Sequence, residues 1–128
     1  MMSVTKILLI LTALLGFSGV LLGALGAHAL EETLQARGTA EAWDTAALYH
    51  LFHTAALLAL SVWLRSEPAR RLPAAAAFCW VGGTAAFSGS LYWLALGGPG
   101  FLGPVTPVGG LILMAGWLLL GLAACRGR

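Results

Sequence analysis

Charge is what this chain has least of. Asp, Glu, Lys and Arg make up 9% of its 128 residues, against 59% hydrophobic, whereas a soluble domain is about a quarter charged and half apolar. Seven basic and five acidic side chains cannot clothe a water-soluble globule of this size, but a lipid-facing surface needs almost none. The net charge of +2, with no Lys/Arg stripe to track phosphates, excludes nucleic acid as a partner. Cysteine is scarce too. Cys79 and Cys125 form no CxxC pair, so neither a redox motif nor a thiolate zinc site is expected. Both fall near helix ends on the side assigned below to the cytoplasm, and we read them as reduced packing residues. A Gly-x-Ser-x-Gly elbow, an HExxH pair and a P-loop are all missing, so no catalytic residue, cofactor or metal is assigned.

What is present is long uncharged runs. Ile7 to Leu30 and Thr45 to Leu64 carry no ionised side chain, and neither does Leu72 to Cys125. At ~1.5 Å rise per residue each of the first two can cross a hydrocarbon core of ~30 Å. The third is long enough for two passes, broken at Gly97-Gly98-Pro99-Gly100 and Gly103-Pro104, residues that punctuate helices. The expected fold is all-α: an integral membrane four-helix bundle, antiparallel and up-down. It forms a single transmembrane domain over residues 1–128, with helices at about 6–30, 42–65, 73–96 and 107–125. Thr106 is expected to cap the last helix with Pro107 in its first position, and Leu72-Pro73 to open the third. Residues 30–37 read as a short helical extension stopped by Gly38.

Sorting the charges onto the two sides gives the orientation. Lys6, Arg65, Arg70, Arg71, Arg126 and Arg128 share one side with Glu67; Glu31, Glu32, Glu41 and Asp44 share the other with Arg37. The positive-inside rule makes the basic side cytoplasmic, which predicts both termini inside. Lys6, an apolar stretch and Ala27-His28-Ala29 also resemble a signal peptide, but the apolar run exceeds a typical signal core of ~7–15 residues. The first helix is therefore expected to stay.

Helices in lipid associate through small residues that let backbones approach. Gly16, Gly19, Gly23 and Gly26 recur at spacings of three and four on helix one, forming one smooth face. Helix three offers Gly82, Ala86, Gly89 and Ser90, and helix four Gly109 and Gly116. Such strips serve packing within one chain or contact with a second copy or a partner membrane protein; the first is expected. Trp43, Tyr92 and Trp93 near the outer boundary and Trp63 near the inner one are read as belt anchors.

Helix two is two-sided at about 100° per residue. Tyr49, His50, His53, Thr54 and Ser61 share the half expected to face protein, and Leu48, Leu51, Ala55, Leu58 and Val62 the half expected to face lipid. His50 and His53 fall about 9 and 14 Å below the outer boundary. On helix three, Thr84, Ser88 and Tyr92 form a ridge whose hydroxyls can satisfy a neutral imidazole. Ionisable groups in a span mark a pocket, proton path or metal site by default; alternatively they are polar glue between helices. Glue is expected, because no buried carboxylate accompanies the histidines. The rival is an outer-half cavity lined by His50, His53, Ser88 and Tyr92 that binds or moves a small molecule or proton. His28, at the outer end of helix one, sits too far from His53 for a tidy metal trio, and a zinc site wants three or four ligands.

Four motifs in order, Gly23-Ala24-Leu25-Gly26-Ala27-His28-Ala29-Leu30, Tyr49-His50 with His53, Phe87-Ser88-Gly89-Ser90-Leu91-Tyr92, and Thr106-Pro107-Val108-Gly109-Gly110 with Gly116-Trp117, resemble one family. It is the YgdD-like family of small four-span membrane proteins, a domain of unknown function related to eukaryotic transmembrane protein 256. The resemblance covers nearly the whole chain. It implies a bacterial inner-membrane protein of this topology with an uncleaved first helix. It brings no established activity, so no catalytic residue carries over. Its motifs coincide with His28, His50, His53, Ser88, Ser90 and Tyr92, which marks these residues, with Tyr49, as a candidate polar intramembrane site.

Overall fold

A segment crossing hydrocarbon must satisfy its backbone groups within itself, and a helix does so turn by turn. The computed structural model describes residues 1–67 and 70–126, and among these every regular element is helical. The elements are α1 (Val4–Ala27), α2 (Glu31–Arg37), α3 (Ala40–Ser66), α4 (Arg71–Ala95), a 3-10 turn at Gly100–Leu102, and α5 (Val105–Arg126). Four of these segments are long and apolar enough to span a bilayer. Arg128, counted above among the basic residues, lies outside the described residues.

The helix ends follow local chemistry. Ser3 caps α1 by accepting the Lys6 N–H at 3.3 Å. Two ends are closed by left-handed glycines, Gly38 (φ 67°) after α2 and Gly97 (φ 88°) after α4. Gly38 donates to the Gln35 carbonyl at 3.0 Å and Thr39 to that of Leu34 at 2.9 Å; Gly97 donates to Leu94 at 3.0 Å and Gly98 to Trp93 at 2.8 Å. A side chain at either glycine is disfavoured because the left-handed region crowds a Cβ. The expected ends of the four spans all shift by one to three residues, two of them onto different chemistry. α1 stops at Ala27 with His28 at its C-cap. α5 starts at Val105, so Pro107 sits later in the first turn, still where proline is tolerated. Thr106 does not cap it; its hydroxyl shares a 2.6 Å hydrogen bond with Ser90.

Neighbouring spans run antiparallel, as the contacts between them step in opposite directions. Against α3, Gly16 faces Thr54, Gly19 faces Leu51 and Gly26 faces Trp43. Between α4 and α5, Ser90 meets Thr106, while Gly109 faces Phe87, Gly83 faces Leu113 and Gly116 faces Trp80. The packing order is α1 on α3, α3 on α4 and α4 on α5, with α1 touching α4 lightly; among the described residues no packed interface joins α1 to α5. The inner core joins Leu8, Leu57, Leu60, Leu64, Ala76, Ala77, Trp80 and Leu113. A second core at the other end joins Leu34, Trp43, Ala46, Tyr92 and Ala95.

Several expectations are corrected by this packing. Of the α1 glycines, Gly23 has nothing within 4 Å of a Cβ position. The small strip of α4 meets its neighbour only in part: Ala86 and Ser90 meet α5, but Gly82 and Gly89 meet nothing, and it is Gly83 that faces Leu113. Trp43 and Tyr92 are not belt anchors but core residues, at 1% and 7% exposure, whereas Trp63 and Trp93 are exposed. Helix α3 faces as expected except at Tyr49, which is 41% exposed, and at Leu51, which packs against Gly19 of α1. Cys79 is partly buried, but Cys125 is exposed.

The glycines that bring backbones together carry the energetic weight. At Gly109 a methyl group meets the Phe87 backbone, which cannot swing away. Gly109→Ala therefore lowers the stability of the protein in mild detergent by about 1–3 kcal/mol, read as a lower Tm by circular dichroism. Gly23→Ala leaves Tm unchanged or raises it, since alanine gains up to about 1 kcal/mol over glycine in a helix.

Candidate functional site

Helix α3 carries the polar seam because its buried stripe recurs every three or four residues: His50, His53, Thr54, Leu57, Leu60, Ser61 and Leu64. His50 and His53 are each 5% exposed, yet they point to different neighbours.

His50 faces α1 and α4. Its Nδ1 lies 3.2 Å from the Tyr92 hydroxyl and its Nε2 lies 3.3 Å from Ser18 Oγ. Ser18 already donates to the Leu14 carbonyl at 2.9 Å, so it accepts from His50 Nε2–H. Nδ1 then accepts from Tyr92, which fixes the neutral tautomer by its partners. Tyr92 is held in turn between His50 and Trp43, with ring centroids 5.9 and 4.7 Å away.

His53 faces α5. Trp117 Nε1–H donates to its Nε2 at 3.1 Å, and its Nδ1 lies 2.9 Å from the Tyr49 carbonyl oxygen. The proton therefore sits on Nδ1, the opposite tautomer from His50. Aromatic rings surround it: Phe52 at 5.4 Å, Tyr49 at 5.9 Å, Trp117 at 6.0 Å and Trp80 at 6.3 Å. A groove of 400 Å³ between α3 and α5 is lined by Tyr49, Phe52, His53, Leu113 and Trp117, among others. His50, Ser88 and Tyr92 do not line it, so the four residues expected to share one cavity are divided between two places.

The remaining candidates are placed as follows. Ser88 does not reach His50; it donates to the Ala46 carbonyl at 2.8 Å, a bond from α4 to α3. Ser90 joins α4 to α5 through Thr106. Tyr49 packs on Phe87 at 4.7 Å with half its surface out. His28 is exposed at the end of α1 and takes no part in the seam. Ser61 Oγ, Thr84 Oγ1 and Trp80 Nε1 are buried without a partner among the described residues.

Sequence reasoning missed Ser18 and Trp117, the partners of the two histidines. A signal existed for each. Ser18 is the one hydroxyl between Thr12 and His28 in an otherwise apolar helix. Trp117 lies in mid-span, away from the interfaces where tryptophan usually sits, and an indole N–H at hydrocarbon depth has no water to bond. Also unforeseen is a clamp at the other end, where Arg37 Nε and Thr39 Oγ1 both donate to the Ala95 carbonyl, at 3.1 and 2.8 Å. They satisfy an end of α4 that has no helical partner.

The seam predicts separable couplings. A double-mutant cycle between His50→Leu and Tyr92→Phe, followed by thermal unfolding in detergent, gives a coupling of about 0.6 kcal/mol, up to about 1.7. The cycle between His50→Leu and Trp117→Phe gives a coupling near zero, because these side chains share no bond.

Comparisons with known proteins agree with this architecture. The model of a family described as protein of unknown function, DUF423, matches residues 22–110. Over 124 residues the chain is 40% identical to the UPF0382 inner membrane protein YgdD of Escherichia coli, covering 95% of this chain and 92% of that one. It is 38% identical over 122 residues to a UPF0382 membrane protein of Haemophilus influenzae, covering 94% of each. A UPF0382 membrane protein of Schizosaccharomyces pombe is 36% identical over 115 residues, covering 82% of this chain and 90% of that one. No solved structure matches.

Proposed function

The chain belongs to the DUF423 family of membrane proteins, and from that premise we propose that it is a non-enzymatic interaction or accessory protein of the bacterial inner membrane, with both termini in the cytoplasm. One observation carries the first half: all four ring nitrogens of His50 and His53 are engaged by groups of the chain itself. Three of these pairings cross helices and brace the bundle, the fourth lies within α3, and together they leave no imidazole nitrogen open to a ligand. One surface available for a partner is on α1, which buries only Leu8, Thr12 and Gly19. Leu14, Phe17, Val20 and Leu21 stay exposed along it, an apolar face for another membrane helix or a second copy.

Orientation rests on charge. Lys6, Arg65, Arg70, Arg71 and Arg126 lie at one end of the bundle. At the other end the single base, Arg37, is tied to the Ala95 carbonyl among Glu31, Glu32, Glu41 and Asp44. The untied positive charge therefore collects at one face, which the positive-inside rule assigns to the cytoplasm.

A second reading is favoured by the groove beside His53. Its 400 Å³ and its aromatic walls suit a small apolar molecule entering from the bilayer. The two readings part on the variant His50→Leu/His53→Leu. Bracing predicts a lower Tm in detergent by circular dichroism, whereas a ligand site predicts lost binding at nearly unchanged Tm.

Reporter fusions after Arg71 and after Gly38 give cytoplasmic and periplasmic signals respectively; the reverse pattern refutes the orientation. Cross-linking in native membranes captures a neighbouring membrane protein or a second copy on α1. A protein that is strictly monomeric in mild detergent and captures nothing overturns the interaction role.

A further inference from the structure

At the end of the bundle where the chain begins, α1 and α3 border an open groove of 470 Å³ lined by Ser3, Thr5, Lys6, Leu9 and Arg65. Thr5 Oγ1 donates to the Leu64 carbonyl at 3.4 Å. That contact holds the first turn of α1 against the last turn of α3 and so brings Lys6 and Arg65 to one groove. Among the described residues no acidic side chain stands in its walls. The one ion pair among the described residues, Glu67 with Arg70 at 3.2 Å, engages the nearest carboxylate in sequence elsewhere. Two cations lining one space repel each other unless an anion lies between them.

The rest of the lining narrows the anion. Beside the cations are the hydroxyls of Ser3 and Thr5, and one helical turn deeper than Lys6 comes Leu9, an apolar floor directed toward the hydrocarbon. Charge at the rim and aliphatic surface below match a phospholipid. An arginine fork pairs well with phosphate oxygens, and a lysine adds a point charge. We propose that this corner is a binding site for the phosphate of an anionic phospholipid, held by Lys6 and Arg65 with an acyl chain passing Leu9. A zwitterionic ethanolamine headgroup brings its own ammonium against the two cations and is disfavoured. Free phosphate has the charge but makes no use of the floor.

Native mass spectrometry of the whole protein in mild detergent, offered phosphatidylglycerol and phosphatidylethanolamine in equal amounts, tests this. One phosphatidylglycerol per chain is expected to be retained preferentially, with the preference weakening as salt screens the charges. Lys6→Gln/Arg65→Gln lowers its affinity by roughly 30-fold. Arg71→Gln/Arg126→Gln removes the same two charges from the same end, outside the groove, and keeps the lipid. Equal loss in both variants, equal retention of phosphatidylethanolamine, or full displacement by soluble glycerol phosphate overturns the proposal. Lys6 and Arg65 are exposed, so the variant is expected to melt as the wild type does. Should it fail to fold, the wild-type headgroup preference and its salt dependence decide alone.

Discussion

A polar side chain in the middle of a bilayer has no water to bond, so its partner has to come from the protein; among the described residues only Ser61, Thr84 and Trp80 keep a buried polar atom without one. That constraint organises this molecule. His50 joins α3 to α1 through Ser18 and to α4 through Tyr92, and His53 joins it to α5 through Trp117. Where no side chain is within reach, a backbone carbonyl accepts: that of Ala46 from Ser88, and that of Leu22 from Trp43. Helix α3 is thus the post to which the other three spans are tied. Each bond is worth little by itself, but an orphaned partner in hydrocarbon is expensive, so the set specifies register more than it adds stability.

The second constraint is distance. In lipid nothing squeezes helices together, and close approach depends on the absence of side chains. Gly83, Gly109 and Gly116 let α4 and α5 meet along much of their length, with Gly109 against the Phe87 backbone. Helix α1 touches α3 through Gly16, Gly19 and Gly26 and turns its large side chains outward. The bundle is therefore tight on one side and open on the other. Helix α1, like the outer side of α5 with Leu111 and Leu118, is a face available to other molecules in the membrane, and the α1–α3 corner brings two cations to one groove.

Much of this was legible beforehand, and the gaps have physical causes. The inward face of α3 followed from periodicity alone, and His50, His53, Thr54 and Ser61 are all buried. The glycine faces were less secure. Gly82 and Gly83 are adjacent, 100° apart on a helix, and only the neighbour's position decides which of them meets it. Trp43 and Tyr92 stand at belt depth in the sequence, but depth does not say whether an indole faces lipid or protein. Here it donates to the Leu22 carbonyl at 2.9 Å and belongs to the core. Ser88 belongs to the ridge expected to satisfy an imidazole, yet it reaches the Ala46 carbonyl, because a short side chain bonds whatever lies directly opposite.

The sequence by itself determined the solvent, the number of spans, their approximate limits and the lopsided placement of charge. These depend on the free energy of moving each residue from water to hydrocarbon, a property that sums along the chain without reference to neighbours. Which histidine nitrogen meets which hydroxyl, which glycine touches which backbone, and which two cations share a groove were decided only by tertiary structure. Those outcomes turn on a helix rotation of some tens of degrees or a shift of a few ångströms, and hydropathy is blind to both.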